Sequence, residues 1–590
     1  MIRSLIRCGA LAGVLFLGAC ELVVSNPNNP GVIAVKTTPA DLENFLGTQY
    51  RRWHSGLWGG ARVGYMALVM SFEDFSTLSN NCLGQRVGIP RAANNNAIGN
   101  VCGGDQQAVY YTHSEVARGM ADVLRRLDEP DFTFGTPAQD DRNRSFAEFL
   151  LGVSLGYIAM IYDSAAVIAA DDPLAPDGTA IPQDLTGYKE VMEAALAALD
   201  RSIAAATSGA QGANGFPLPA NWMFATTTLS SAEFVKIVRS YRARLRANVA
   251  RSPAERAAVD WNAVIADAEN GLTSDLLITT SSITGPTNGY VNQMYAFSTW
   301  HQMTPFIIGM ADKTGAYASW IAEPLSSRGG TAAFFMQTDD LRWPQGATRA
   351  AQQADLVYKS NSFPAGNGCN NGSTVCKRYF ANRPSGDDAA ASPVWGRSNY
   401  NHIRWWSWRT SGSGTQAANG PFPFFVKAEL DLLAAEGKYR KGDYAGAADL
   451  INKSRTRQPS FPTQASPTTP VVAGAGLPAI TVFDATTPVP GGAACVPLVP
   501  SNASANGGGT VACGNMWEAL KWEKRMETAY VAFMAWFLDS RGWGDLAEGT
   551  PIDWAAPYQD LQARGRIGPG IYSTGTADGY HRAPASTYGW

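Results

Sequence analysis

Two glutamates near the C-terminus have the spacing of a catalytic pair. Glu523 and Glu527 stand four residues apart in the run WEKRME, so on a helix they share one face. Two carboxylates held near each other are the groups with which glycoside hydrolases work. The competing interpretation is ion pairing with Lys521, Lys524 or Arg525. We favour ion pairing, because nothing in the sequence isolates two carboxylates that face each other across a groove.

A second group of residues fits sugar binding without catalysis. An aromatic ring stacks on the apolar face of a pyranose, while neighbouring amide, carboxylate or guanidinium groups hydrogen-bond its hydroxyls. Large aromatic side chains in irregular polar sequence are candidates for such contacts. The ligand-binding candidates are Trp53, Trp58, Asn292, Gln293, Tyr295, Trp300 and Trp320. Core packing is the competing role for each ring and is favoured for any single one.

Metal, nucleotide and nucleophile chemistry have no support in the sequence. The five histidines are scattered without metal-ligand spacing, and neither a Gly-x-Ser-x-Gly elbow nor a P-loop is present. The run GAGLPA imitates a dinucleotide fingerprint, but Pro478 would break the helix that such a motif must open. We therefore expect no cofactor, no metal and no catalytic residue.

The charge balance excludes a nucleic-acid partner and favours neutral ligands. Over 590 residues the formal net charge is −3, so no basic face is indicated. Charged residues make up 16% of the chain, against roughly 25% in an average soluble domain. Gly, Asn, Ser and Thr take up the difference, which indicates long loops and a neutral, hydrogen-bonding surface.

The N-terminus reads as a targeting segment. Arg3 and Arg7 precede a short apolar stretch, 8–16, that is too short to span a bilayer. It ends in Leu17-Gly18-Ala19-Cys20, the pattern of a bacterial lipobox, in which cleavage precedes a cysteine that is then diacylated. A simple small-residue cleavage site is the alternative. We expect a signal peptide over 1–20, lipidation at Cys20, a tether over 21–37 and, because Glu21 follows, an outer-membrane location.

Apart from Cys8 and Cys20 in the N-terminal segment, the chain has six cysteines. They fall into neighbouring pairs, each within one Gly/Asn-rich loop. Beyond the inner membrane disulfides persist, and six cysteines allow 15 pairings. A zinc site is the alternative, but no histidine clusters with them and no Cys-x-x-Cys occurs. We expect three local disulfides, Cys82 with Cys102, Cys369 with Cys376, and Cys495 with Cys513.

The elements that must position these residues are helical. In the stretch 425–457 the apolar residues follow helical spacing, Gly437 and the residues 438–441 supply a stop and a turn, and Asp443 is placed to cap a second helix. This is an αα-hairpin of the tetratricopeptide kind, whose inner face needs further hairpins to bury it. Apolar residues recur at the same distances after Asp260 and after Gly187 as after Asp443. We expect a partner helix before each, at 231–249 for the Asp260 unit and at 145–162 for the Gly187 unit.

The rest of the chain predicts a mostly α fold with long irregular insertions and a small β element. Further helices are expected at 41–58, 61–75, 107–127 and 516–538, and 460–514 is expected to be a surface loop. From residue 272 onward Thr, Ser, Gly and aromatic residues rise, and alternation near Trp405 indicates one or two strands. We expect an N-terminal helical region at 38–271 and a C-terminal region at 272–590 that carries the ligand-facing insertions.

Taken in order, several segments resemble the SusD/RagB family of outer-membrane lipoproteins, over most of the mature chain. The segments are the lipobox, the Asn-Pro-Asn tether, the 145–162 helix with Ala147 and Tyr157, the turn Asp339-Asp340-Leu341-Arg342, the 425–457 hairpin, and the run WEKRME leading to Asp539 and Arg541-Gly542-Trp543-Gly544. Two departures mark a divergent branch. Val426 and Lys427 replace a frequent arginine before Ala428-Glu429, and 531–534 replace a frequent Glu-Gly-x-Arg.

The resemblance implies four tetratricopeptide-like hairpins in a protein that caps a TonB-dependent, SusC-like transporter and binds glycan for import without catalysis. It also implies a lipid-anchored protein that faces the cell surface. Two alternatives stay open: a secreted polysaccharide hydrolase, and a lipoprotein that binds peptide or serves as a structural scaffold.

Overall fold

The structure is a computed structural model that describes most of the chain after the expected tether. The described residues are 38–59, 62–76, 83–97, 99–100, 102–176, 178, 180–208, 216–281, 286–289, 291, 301–328, 334–355, 378–383, 393–405, 408, 420–460, 472–490, 495–500, 509–566 and 581–584. The expected signal peptide, Cys20 and the tether lie outside them.

The fold is mostly α-helical, as the sequence predicts. The helices of the described residues are α1 Pro39–Trp58, α2 Arg62–Met70, α3 Gly103–Leu127, α4 Pro137–Ile161, α5 Tyr188–Ala206, α6 Ala220–Met223, α7 Ser231–Asn248, α8 Pro253–Ala257, α9 Trp261–Glu269, α10 Pro305–Ile308, α11 Ala316–Ala322, α12 Arg349–Asp355, α13 Lys427–Arg440, α14 Tyr444–Arg455, α15 Met516–Thr528, α16 Ala535–Trp543 and α17 Tyr558–Ala563. Short 3₁₀ turns lie at Gly84–Arg86, Gly309–Ala311, Leu325–Ser327 and Val394–Gly396.

The strands pair only two at a time. They are β1 Phe75–Ser76, β2 Ser164–Ala166, β3 Leu185–Gly187, β4 Leu276–Thr280, β5 His301–Gln302, β6 Phe380–Asn382, β7 Tyr400–His402, β8 Gly420–Phe425, β9 Leu498–Pro500 and β10 Val511–Cys513. The described strands form five antiparallel pairs: β1 with β5, β2 with β3, β4 with β8, β6 with β7, and β9 with β10. The expected small β element near Trp405 is the β6–β7 pair, with Phe380 opposite His402.

The three predicted hairpin units are confirmed, and Asp443 is the cap that was predicted. Asp443 accepts a hydrogen bond from the backbone N–H of Gly446 at 2.9 Å, and Asp260 accepts one from Ala263 at 3.1 Å. Gly187 precedes α5 in an extended conformation. Helix α4 packs on α5, α7 packs on α9, and α13 packs on both α9 and α14. The hairpins therefore bury one another's inner faces.

Helix α4 is the central element of the N-terminal half. Within the described part of the chain it is the helix that is long and apolar enough to cross a membrane, and 94% of its most apolar stretch is buried inside the protein. A side chain at Gly156 would meet Leu245 of α7 at 2.5 Å, so glycine lets the two helices approach. This environment is that of a core helix.

The turn of the 425–457 hairpin is placed differently from the prediction. Helix α13 continues through Gly437 to Arg440, and the chain reverses at Gly442, which has φ = 80°. Gly437 instead marks a close helix contact, because a Cβ there would lie 2.7 Å from Ile265 of α9. The glycine serves packing and not termination.

The expected long helix at 516–538 is broken into α15 and α16. Tyr530 and Met534, in the break, have left-handed φ values of 58° and 59°. The backbone N–H of Tyr530 donates to Glu73 at 2.7 Å, and its hydroxyl donates to Asp74 at 2.7 Å. These two carboxylates follow α2, so contacts with a remote segment replace the helical hydrogen bonds.

The stretch 460–514 is a surface loop only in part, which corrects that prediction: Val482 and Phe483 are exposed, but other described residues are buried. The side chains of Leu477, Ile480, Val489 and Val496 are buried. Ile480 and Val489 belong to a core shared with α13, α14 and α15. The stretch covers the outer face of the last hairpin, which would otherwise expose apolar surface.

Candidate functional site

Three of the predicted ligand-contacting rings are core residues, which corrects the prediction for them. Trp53, Trp58 and Trp320 are 1%, 2% and 4% exposed. The indole of Trp53 lies between His113 and Tyr157, with ring centroids 5.9 and 5.6 Å away. Rings that are enclosed in this way have no face for a ligand. Asn292, Gln293, Tyr295 and Trp300 lie outside the described residues.

The tryptophans near the β6–β7 pair are also packed inside. Trp405 and Trp408 are each 1% exposed, and their rings lie 5.6 and 4.4 Å from that of Phe422 on β8. These two tryptophans belong to the same hydrophobic core as Trp53 and Trp58 of α1.

One expected disulfide lies within the described residues. Cys495 and Cys513 are bonded and connect the segment before β9 to β10. Cys102 is also disulfide-bonded. Cys82, Cys369 and Cys376 lie outside the described residues.

The two glutamates that opened the sequence analysis lie at the centre of a buried charge network. Both carboxylates, and the guanidinium of Arg342, are completely buried. Arg342 donates to Glu523 Oε2 at 2.8 Å and to Asp340 Oδ2 at 2.6 Å. The turn 339–342 is thereby anchored to α15.

Glu527 is held from three other elements. Arg404 and the Tyr379 hydroxyl donate to Glu527 Oε2 at 3.1 and 2.9 Å, and Arg457 pairs with Oε1. The Ser454 hydroxyl lies 2.7 Å from Glu523 Oε2 and 2.8 Å from Glu527 Oε1.

Ion pairing is therefore the role of both glutamates, but the predicted partners are wrong. Lys524 pairs with Asp539 at 2.8 Å, while Lys521 and Arg525 pair with Asp545 at 3.0 and 2.7 Å. The arginines that replace them come from other segments of the chain. Among these arginines, Arg342 has a signal in the sequence, because it ends the turn 339–342, one of the segments that carry the family resemblance.

Burial and the neighbouring arginines shift the pKa values of the two carboxylates in opposite directions. Burial alone would raise the pKa of Glu527, but Arg457, Arg404 and Arg342 outweigh it and hold that pKa well below its usual range. Burial raises the pKa of Glu523, and Arg342 offsets this only in part. Both carboxylates are completely buried and project from one helix, so they do not face each other across an open groove.

A pocket of about 170 Å³ opens beside this network. It lies between the first turn of α13 and the end of α14, with Glu527 and Arg404 at its inner end. At its rim Lys427 and Lys453 share the carboxylate of Asp431, at 2.7 and 3.3 Å. The charges that line it are largely paired with one another, and its lining includes no aromatic ring. The pocket can hydrogen-bond a small hydroxylated group, but stacking on a pyranose needs another surface.

Among the described residues, no group of three or more histidine, cysteine or acidic side chains is placed to hold a metal ion. Burial lowers the pKa of His54 to about 3, and the Nδ1 of buried His301 lies 2.6 Å from Asp74 Oδ2.

Comparison with solved structures identifies the fold. A SusD superfamily protein from Bacteroides vulgatus superposes with a TM-score of 0.50 at 13% identity, over 93% of this chain and 96% of that one. A SusD homolog from Bacteroides thetaiotaomicron gives a TM-score of 0.44 at 12% identity, over 95% and 96% of the two chains. A SusD-like protein from Bacteroides fragilis gives 0.45 at 13% identity, over 88% and 89%.

Sequence comparison adds no closer relative: no family model matches the chain, and the search of curated proteins found no match. The likeness is one of architecture, and it extends over almost the whole of both chains. The chain has a SusD-like fold.

Proposed function

We propose that this protein is a cell-surface lipoprotein of the outer membrane that binds a glycan and delivers it to a TonB-dependent transporter, without altering it. The observation that carries the proposal is the SusD-like fold over 93% of the chain. The low charge content supports a neutral polyhydroxylated ligand, because such a ligand is recognised by hydrogen bonds and ring contacts.

The environment of the two glutamates supports binding over hydrolysis. A glycoside hydrolase needs one carboxylate on each side of an accessible scissile bond. Glu523 and Glu527 are instead on one helix, buried, and bonded to arginines. Their role in the proposal is to fix α15 against the last hairpin.

The lipobox sequence is the basis for the proposed lipid anchor at Cys20. Acylation of Cys20 with two chains would hold the protein at a membrane stably, where one chain would be marginal. Residues 21–37 would then be the tether between the lipid and α1. The test is metabolic labelling with an alkyne fatty acid, which should label the wild-type protein and not the Cys20→Ser variant.

The ligand is tested with the full mature chain carrying Cys20→Ser, which stays in solution. The chain is screened on a glycan array, and each glycan that binds is incubated with it and assayed for new reducing ends. The expected result is binding with no new reducing ends. New reducing ends would favour the hydrolase alternative, and the absence of any glycan binding would remove the proposal.

The partner is tested with the acylated protein. Mild detergent extraction of outer membranes followed by affinity capture should recover a large β-barrel with a plug domain. Capture without a barrel, from membranes that do contain the acylated protein, would contradict delivery to a transporter.

A further inference from the structure

The pocket beside the two glutamates carries more positive than negative charge. Its cationic side chains outnumber its carboxylates by four to three. The cations are Arg404, Lys427, Lys453 and Arg457, and the carboxylates are those of Asp275, Asp431 and Glu527. The chain as a whole has the opposite balance, with a net charge of −3. Positive charge that is concentrated in a concave surface attracts an anion.

The carboxylates at the rim of the pocket leave N–H donors of the lysines to spare. Asp275 accepts a hydrogen bond from the backbone N–H of Lys427 at 2.8 Å, in the first turn of α13. Asp431 receives both lysines, with Lys427 Nζ at 2.7 Å and Lys453 Nζ at 3.3 Å. An ammonium group has three N–H donors, and among the hydrogen bonds of the described residues each of these lysines gives one, to Asp431. Two cations that share one carboxylate can hold a second one.

The inner end of the pocket has the same arrangement. Arg404 and Arg457 both pair with Glu527, and Arg404 Nη2 lies 3.1 Å from its Oε2. Glu527 is completely buried, whereas 30% of the Arg457 side chain remains exposed. One buried carboxylate thus serves both arginines of the pocket wall, so positive charge is in excess at this end also.

The rest of the lining is aliphatic. It consists of Val426, Ala428, Leu432 and Leu450. Val426 and Leu432 are each 1% exposed, so this wall is continuous with the hydrophobic core. An apolar wall favours a ligand with a hydrocarbon part over a fully hydrated inorganic anion. The mixed lining therefore fits a molecule that carries a carboxylate on a short hydrocarbon chain.

The volume of the pocket limits the ligand to a small molecule. The pocket holds about 170 Å³, and an engineered protein cavity of roughly 150 Å³ binds benzene. By that comparison, a ligand of about five to eight non-hydrogen atoms fits. Propionate and succinate are of this size and have the required chemistry.

We propose that this pocket binds a short-chain organic carboxylate. The carboxylate of the ligand meets the ammonium groups of Lys427 and Lys453, and its hydrocarbon part lies against Val426 and Leu450. The site is additional to the proposed function, so its failure would leave glycan binding untouched.

The experiment is a ligand-observed proton NMR titration of the full mature chain carrying Cys20→Ser, with propionate and with succinate. Two further compounds test the class of ligand: propionamide has the shape of propionate without its charge, and inorganic phosphate is added as a competitor. The chain should broaden the propionate and succinate signals in a saturable manner and leave those of propionamide sharp. Added sodium chloride should weaken the binding, because salt screens the attraction.

Two variants assign the binding to the pocket. Lys453→Gln removes an ammonium group whose side chain is 58% exposed, and it should weaken propionate binding about tenfold, the value of one hydrogen bond to a charged group. Asp431→Asn removes the carboxylate that competes with the ligand for both lysines, so it should bind propionate more tightly. A merely structural role for Asp431 would not give that gain.

The matched control is Lys441→Gln. It removes an exposed lysine at the end of α13, outside the lining of the pocket, and should bind propionate as the wild-type chain does. Circular dichroism checks the fold of each variant. If Asp431→Asn is misfolded, Lys453→Gln, at an exposed position, decides the result.

Each outcome supports or overturns the site. Binding of propionate that Lys453→Gln weakens and Lys441→Gln leaves unchanged supports it. Equal affinity of Lys453→Gln and the wild-type chain overturns the assignment to this pocket. Equal broadening of propionamide overturns the assignment to an anion, and displacement of propionate by an equal concentration of phosphate overturns the organic class. If neither carboxylate is broadened at millimolar concentration, the proposal is wrong.

Discussion

Arg244 donates two hydrogen bonds to Glu429, from Nε to Oε1 at 2.7 Å and from Nη2 to Oε2 at 2.7 Å. The arginine lies on α7 and the glutamate in the first turn of α13, and both are buried. The guanidinium also lies 3.6 Å from the ring centroid of Phe425 and donates to the Tyr157 hydroxyl at 2.9 Å. This pair therefore joins the N-terminal helical region to the last hairpin.

Removing one member of this pair should destabilise the whole protein. Arg244→Ala leaves the carboxylate of Glu429 buried without its partner, and such changes cost about 3–5 kcal/mol. Because α4, α7 and α13 meet there, we expect one cooperative unfolding transition at a lower urea concentration. Urea denaturation followed by tryptophan fluorescence measures the change.

The matched control for this prediction is an exposed pair. Arg52 and Glu115 pair on the surface, with side chains 56% and 57% exposed, so Arg52→Ala should cost no more than about 1 kcal/mol. The double variant Arg244→Met with Glu429→Leu should recover much of the loss, since it removes both charges. Equal losses for Arg244→Ala and Arg52→Ala would refute the role assigned to the buried pair.

Gly437→Ala should loosen the contact between α13 and α9. The added Cβ would lie 2.7 Å from Ile265 and 3.1 Å from Trp261, and overpacking of this kind costs about 1–3 kcal/mol. Gly103→Ala at the start of α3 is the control, because its Cβ would meet nothing closer than 3.8 Å. Thermal unfolding should show a lower midpoint for Gly437→Ala alone. A midpoint that is unchanged or higher would show that Gly437 is not needed for the helix approach.

Stability should depend on pH through Glu436. Burial would raise the pKa of Glu436, but Arg256, Lys524 and Arg440 outweigh it and lower that pKa from 4.5 to about 2. A carboxyl whose pKa is lower in the folded state stabilises the fold above its unfolded pKa, and this stability is lost as pH falls. The contribution is about 3 kcal/mol at neutral pH and declines between about pH 5 and pH 2.

The Glu436→Gln variant isolates this effect. Asp163 contributes a pH dependence of the opposite sign, because burial raises its pKa to about 6. Since Asp163 is present in both proteins, its contribution cancels when their unfolding free energies are subtracted. The difference in unfolding free energy between wild type and variant should be largest at pH 7 and should shrink toward pH 3. A difference that is constant with pH would exclude Glu436 as the source.

The disulfide should stabilise the β9–β10 region. Cys495 and Cys513 are 18 residues apart, and closing a loop of that length contributes about 3 kcal/mol in the chain-entropy model. The double variant Cys495→Ala with Cys513→Ala should unfold at lower urea concentration than wild type, without reductant. Identical unfolding curves, together with free thiols at both positions in the wild-type protein, would show that the bond does not form.

The helices were predictable because their signals are local. Asp443 and Asp260 precede their helices directly, and apolar residues recur at helical spacing within a few residues of each cap. The break after α15 was not predictable in this way. It depends on Glu73 and Asp74, which meet Tyr530 across more than 450 residues of sequence.

The candidate site was less predictable for the same reason. The types and shared face of Glu523 and Glu527 could be read from their spacing, but Arg342 and Arg404 reach them from 181 and 123 residues away. Whether a tryptophan such as Trp53 stacks on a ligand or fills a core depends on packing between distant helices.

The most direct measurement combines binding and turnover in one sample. The mature chain is titrated calorimetrically with a reducing-end-labelled oligosaccharide of the class selected on the array, and the sample is then analysed by mass spectrometry. Saturable heat with full recovery of the intact oligosaccharide is the predicted result. Shortened oligosaccharides, or the absence of heat at millimolar ligand, would contradict a glycan-binding role without catalysis.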